Sequence, residues 1–278
     1  MQREEERGTH SLKNSVLVSE SKSKLSGTGL KIFACIAMLI AHTVSSGVWI
    51  QTTSLLPLQW EHVIMLNRLG SVLQRTIGRM AFPIFGFLLV EGAQKTGNMR
   101  KYVDWLGITA IISEMPFDLA LFGSLGDTTH QNVMVTLLLG LMALYCLQEV
   151  DAKDIEDWKH SGATAGIVII FTLLGWFLRC DYGGAGVLYI CTLYLLRKAR
   201  AEIQLGVAST ILVVTYGTYE LGAFLACPLI LFYNGQRGKC DTEWKKLLFY
   251  AFYPAHLILL YIITRGMLPA ITKIVHAG

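Results

Sequence analysis

His42, Glu114, Asp118 and His256 are ionisable side chains set within stretches that are otherwise apolar enough for a hydrocarbon core. At the centre of a bilayer such a group costs about 2.5–3.5 kcal/mol on insertion scales, so it faces a bundle interior or a wet cavity and marks function by default. Histidine suits general-base work because its unperturbed pKa lies near working pH. His42 follows Lys31 by eleven residues. On a helix that spacing returns to nearly the same face, about 16 Å further along. The pair therefore predicts one groove with a cation at its mouth and an imidazole at its floor, near the midplane. Glu114 and Asp118 lie four apart and share a helix face, with Pro116 between them. His256 sits in FYPAHL, again near mid-depth, just past Pro254. Arg79 lies one turn before Pro83, and Asp118 and Asp181 are its expected partners. Asp181 itself precedes a glycine turn.

Each residue also has a plainer reading. His42 can be a ring satisfied by a backbone carbonyl, and Lys31 a positively charged anchor at a span end. Glu114 and Asp118 can be structural partners of Arg79. Asp181 can be a helix cap, and Glu91 and Glu220, at span ends, interface residues. Two functional classes fit the set. A proton-coupled transporter uses Glu114, Asp118 and His256 as a relay. An acyltransferase uses His42 to take a proton from an acceptor amine or hydroxyl. The charges alone do not separate them.

The elements that must position these groups are membrane helices. Of 278 residues, 53% are hydrophobic and only 16% charged, well below the roughly 25% of soluble domains. Mean hydropathy is +0.47. An all-α polytopic bundle follows, with about nine spans and a range of eight to ten. The apolar segments run over about 30–50, 76–90, 102–122, 132–147, 166–178, 183–196, 203–219, 221–233 and 247–263. Residues 1–29 are polar and read as a flexible cytoplasmic tail ahead of a single membrane domain over 30–278. Basic residues concentrate in alternate loops, at Lys95, Arg100 and Lys101, at Lys153 and Lys159, at Arg197, Lys198 and Arg200, and at Arg237, Lys239, Lys245 and Lys246. That asymmetry predicts a cytoplasmic N-terminus and an odd number of spans. Arg68 and Arg75 are exceptions in the long first loop, where Trp60 and residues 55–58 suggest an interfacial segment. The net charge of +4 and the lack of basic runs argue against a nucleic-acid partner. The six cysteines lie mostly in apolar segments with no CxxC, so they read as small buried hydrophobes and not as a disulfide frame or metal site.

Several blocks together resemble the TraX family, named for the conjugation protein that N-acetylates pilin. They are Leu30-Lys31 with Met38 and His42, GRMAFPIFGFLLVEGAQKT over 78–96, Tyr102, SEMPFDLA over 113–120, NVMVTL over 132–137, DYGGAG over 181–186, YNG over 233–235 and YPAHL over 253–257. The resemblance covers about residues 30–263. The family is similar to a wider set of transmembrane acyltransferases with a basic residue, ten residues, then histidine on the first span, and Lys31 and His42 fit that spacing. The resemblance implies a multi-pass inner-membrane enzyme that takes an acetyl group from acetyl-CoA on the cytoplasmic side. It gives it to a peptide N-terminus or a small molecule. In that scheme His42, Glu114 and His256 are the catalytic candidates. Lys31 and Arg79 meet the donor, Lys31 at a CoA phosphate and Arg79 at the oxyanion, while Asp118 and Asp181 meet the acceptor. Relatives carry Asp-His where this chain has Ala41-His42; either Glu114 supplies the carboxylate that orients the ring, or the chain is an inactivated or engineered variant, or this branch does different chemistry, and the first is favoured.

Overall fold

A computed structural model describes residues 25–238 and 243–277. Apolar runs in a bilayer must satisfy their backbone groups internally, which selects helices. The described residues form twelve α-helices and no strands. They are α1 (Gly27–Ser45), α2 (Val48–Ser54), α3 (Trp60–Arg75), α4 (Ala81–Lys95), α5 (Met99–Leu121), α6 (Val133–Asp151), α7 (Asp157–Phe177), α8 (Gly183–Leu195), α9 (Ala201–Tyr216), α10 (Gly222–Leu231), α11 (Glu243–Ile262) and α12 (Leu268–Ala277). All nine expected segments are helical, as α1 and α4 to α11. The count of nine spans is not what the helices give by length and composition. Five stretches are long and apolar enough to cross a membrane: Gly27–Ser45, Trp60–Lys95, Val133–Asp151, Asp157–Phe177 and Lys246–Ile274. α8 and α10 are apolar but shorter. α5 has 23 residues but also carries five charges.

Short polar caps start several of these helices. The Ser26 hydroxyl accepts from the Gly29 amide at 3.3 Å at the head of α1, Asn98 from Lys101 at 2.9 Å for α5, and Asn132 from Met134 at 2.9 Å for α6. Ser26 and Gly27 are already part of the fold, so the structured chain begins ahead of residue 30. Residues 1–24 of the expected tail, and Cys240, lie outside the described residues. Cys35, Cys180 and Cys191 are buried and unbridged, as expected of small hydrophobes.

Hydrogen bonds and ion pairs define two ends. At one, the Gly27 amide donates to Gln236 O at 2.8 Å, Arg237 to Lys95 O at 3.1 Å, Gln148 to Ala93 O at 3.2 Å, and Arg197 pairs with Asp151 at 2.6 Å. The basic loops gather here. At the other end the Gln131 amide donates to Arg179 O at 3.0 Å, and Gln74 bonds Ser45 at 2.6 Å. The core lies around α8, nearly all of whose residues are buried, packed against α4, α6, α7 and α9. α7 is its opposite: only Gly175 is buried, while Ile169, Ile170, Leu173 and Phe177 face outward. Such contiguous exposed apolar surface suits lipid.

The first apolar segment does not run unbroken from 30 to 50. α1 ends at Ser45 and the chain reverses through Gly47 (φ 82°) into α2. His42 therefore sits in the last turn of α1, about 22 Å from its start, and not at the middle of a continuous span.

Candidate active site

α1 and α11 run side by side in the same direction. Lys31 lies over the Phe249 ring, 5.4 Å from its centroid. At the far end of the same face, His42 Nδ1 is 2.7 Å from His256 Nε2. Both residues therefore lie on the side of α1 that faces α11. His256 is 4% exposed, whereas His42 keeps accessible surface. The two rings are nearly coplanar, at 17°, with centroids 5.0 Å apart, an in-line arrangement and not face-to-face stacking. His256 Nδ1 donates to Phe252 O at 2.8 Å, one turn earlier in α11. The Phe252 ring lies flat on His256, with centroids 4.9 Å apart. Tyr253 meets both imidazoles edge-on, at 5.5 Å and 6.0 Å. Pro254 lies inside α11 and does not open it. It removes one backbone bond near the pair.

The short 3-10 turn Gly78–Met80 carries Arg79 beside α1. A side-chain carbon at Gly78 would come within 3.0 Å of Ala41 Cβ and 3.2 Å of Ala41 Cα. Glycine here and alanine at 41 are what let this turn close on the residue next to His42. Arg79 Nη1 pairs with Glu220 Oε1 at 3.0 Å and donates to the Tyr182 hydroxyl at 3.3 Å. Its expected partners were Asp118 or Asp181; the observed one is Glu220. That residue was assigned to an interface, yet it is 2% exposed. Tyr182 in turn stacks on Phe82 at 3.8 Å. Pro83 frees no carbonyl of consequence. It stands in the first turn of α4, where its missing N–H has no intrahelical partner to lose.

The remaining acidic candidates are placed elsewhere. Asp118 accepts from the backbone amides of Gly126 at 2.9 Å and Asp127 at 3.0 Å, so it caps the 122–131 loop. In that loop the Thr129 hydroxyl and amide both donate to Asp127 and hold its carboxyl below the usual range. Glu114 is held by Asn132, through both its side-chain amide and its backbone N–H. Neither acid touches the imidazoles, and the group that orients His42 is His256, not Glu114. Glu114 and Asp181 do lie within electrostatic reach of the buried Tyr253 hydroxyl, which also meets the Val133 backbone. Asp181 stays exposed in its turn, within electrostatic reach of Arg79 and His130.

Sequence reasoning singles out His42, Lys31, Arg79 and His256, but it does not give the His42–His256 contact or the Arg79–Glu220 pair. Tyr182 and Tyr253 stand in the DYGGAG and YPAHL blocks without a role assigned to them, and Glu220 offers a signal as an acid in a short turn between two apolar segments. Two surface grooves, of about 510 and 450 Å³, lie along α3 and along α7, away from the histidine pair. The described residues hold no cluster of three or more metal-ligating side chains.

An all-helical bundle with apolar outer faces and a histidine pair held between two of its helices fits a multi-pass membrane protein with an intramembrane polar site. The chain belongs to the TraX family, whose description is "TraX protein" and whose profile matches residues 26–264. It is also 27% identical over 263 residues to "Probable fimbrial assembly protein FimC, serogroup H1" of Dichelobacter nodosus, covering 83% of this chain and 92% of that protein. No solved structure matches the chain.

Proposed function

We propose that the chain is a membrane-embedded acyltransferase that moves an acetyl group from acetyl-CoA to an acceptor amine or hydroxyl. The observation that carries this reading is the His42 imidazole, in a residue only partly buried, on the same face of α1 as Lys31 and held through Nδ1 by His256. A cation at one end of a helix face and a base at the other suit a long thioester with an anionic head. His42 removes the proton as the acceptor nitrogen or oxygen attacks the thioester carbonyl. It then returns that proton to the departing CoA thiolate. Arg79 uses one of its nitrogens on Glu220 and Tyr182, which leaves guanidinium N–H groups for the oxyanion.

Lys31 lies at the basic end, and the loop-charge rule supports a cytoplasmic side for that end and hence for CoA. The fimbrial-assembly description of the Dichelobacter relative supports a peptide N-terminus as acceptor. The proton-relay reading is less well supported. Glu114, Asp118 and His256 each hold a local partner of their own, at Asn132, at the Gly126 and Asp127 amides, and at Phe252 O.

Purified protein given acetyl-CoA with an acceptor peptide or amine should release free CoA thiol. His42→Ala should slow that release about 10²–10⁴-fold. Lys31→Ala should weaken acetyl-CoA binding in calorimetry. If no acceptor of either class elicits thiol above the blank, the proposal fails.

A further inference from the structure

We infer that His256 is a positioning residue that decides which nitrogen of His42 is the base. The reasoning is a chain of donors and acceptors that starts at a backbone oxygen. Phe252 O can only accept, so the His256 Nδ1 lying 2.8 Å from it carries the hydrogen. In a neutral ring the other nitrogen is then a lone pair. That nitrogen, Nε2, is 2.7 Å from His42 Nδ1, so His42 must supply the hydrogen there. What remains on His42 is a bare Nε2, directed away from α11. An imidazole lone pair lies in the ring plane, and the 17° angle between the rings is the geometry such a bond requires.

The Tyr253 backbone, which also meets the His256 ring, is like Phe252 O an acceptor and so favours the same ring hydrogen. His256 is 4% exposed, covered on one face by Phe252 and flanked by the edge of Tyr253. Its own orientation is set within α11, because its carbonyl partner is one turn away on the same helix. α11 thus transmits a tautomer to α1. When His42 takes a second proton, the same bond continues to accept Nδ1–H and holds the imidazolium in place. This fills the orienting role for which the chain, with alanine at 41, has no neighbouring carboxylate.

The catalytic consequence rests on the acyl-transfer reading; the tautomer does not, and the test separates them. In protein labelled with ¹⁵N-histidine, the His42 resonances, assigned by their loss in His42→Ala, should show a protonated Nδ1 and a bare Nε2. Finding the hydrogen on Nε2 overturns the inference outright. The predicted tautomer in a protein that releases no CoA thiol with any acceptor upholds the inference and sinks the acyl-transfer reading instead.

For activity, His256→Leu should lower kcat by about a hundredfold or more, with KM for acetyl-CoA little changed. His256→Gln keeps an acceptor atom where Nε2 stood, and should recover to within about tenfold of the parent. Thermal unfolding of both variants shows whether the bundle is intact. If intact His256→Leu transfers acetyl at the parental rate, or intact His256→Gln is as slow as the leucine variant, the positioning role is wrong.

Discussion

Arg79 and Glu220 meet at 3.0 Å with side chains 32% and 3% exposed, so the buried Glu220 charge is compensated mainly by Arg79, which also meets Tyr182. Breaking a buried pair from one side leaves an uncompensated charge and costs about 3–5 kcal/mol, whereas replacing both partners with apolar groups is often neutral. Arg79→Leu should therefore lower thermal stability sharply, and Arg79→Leu with Glu220→Leu should restore most of it. CoA release should stay low in both, because the donor proposed for the oxyanion is gone. Equal melting temperatures for the single and double variants would show that the pair is not what holds this corner. The residues that form the site were visible in the sequence as charges out of place, but their partners were not. Periodicity assigns residues to faces within one helix. It says nothing about which loop folds over that face, so Glu220 was passed over as Arg79's partner. Asp118, four residues from Glu114, was grouped with it on a shared face, yet its carboxylate turns to the following loop. His256 was legible as a buried histidine. Its contact with His42 crosses 214 residues of sequence, which no local pattern records.

Helices were the most legible part of the chain, because apolar runs of this length admit almost no other fold in lipid. Their ends were less so. α1 stops at Ser45 although the apolar run continues to Ile50. The stop comes from the reversal at Gly47, after which α2 folds back against α3. This moves His42 from mid-helix to a last turn, where the chain reverses just beyond it. The second boundary that shapes the site is the start of α10. A side-chain carbon at Gly222 would lie 2.7 Å from the Thr76 carbonyl oxygen and 2.6 Å from Arg79 Cβ. A backbone atom cannot step aside as a side-chain end can, so Gly222→Ala must push α10 off the turn that carries Arg79. Overpacking of this kind costs about 1–3 kcal/mol. The variant should melt lower than the parent and lose CoA-release activity out of proportion to the fraction unfolded. Unchanged melting and activity would mean that α10 is freer to shift than its contacts suggest.

At the scale of the whole molecule, the charged loops divide the bundle into a basic end, with Lys95, Lys101, Lys153 and Arg200, and an end that holds the histidine pair and its acidic neighbours. Single cysteines introduced at Lys153 and at Gly126 into a chain freed of its own cysteines should label oppositely in intact cells. The Gly126 position should react with a membrane-impermeant maleimide from outside, and the Lys153 position only after lysis. The reverse pattern would put Lys31 on the wrong side for a cytoplasmic donor.

α8, at the centre, is 13 residues long, or about 20 Å, against a hydrocarbon thickness of about 30 Å. It spans no bilayer by itself and, apart from Leu195 at its end, offers lipid almost no surface. Thicker or thinner membranes will tilt and strain the peripheral helices first, α7 above all. The α8 core is thereby insulated from the composition of the membrane around it, whereas α1 and α11, which carry the imidazoles, expose apolar side chains such as Ile36 and Leu259 and feel that composition directly.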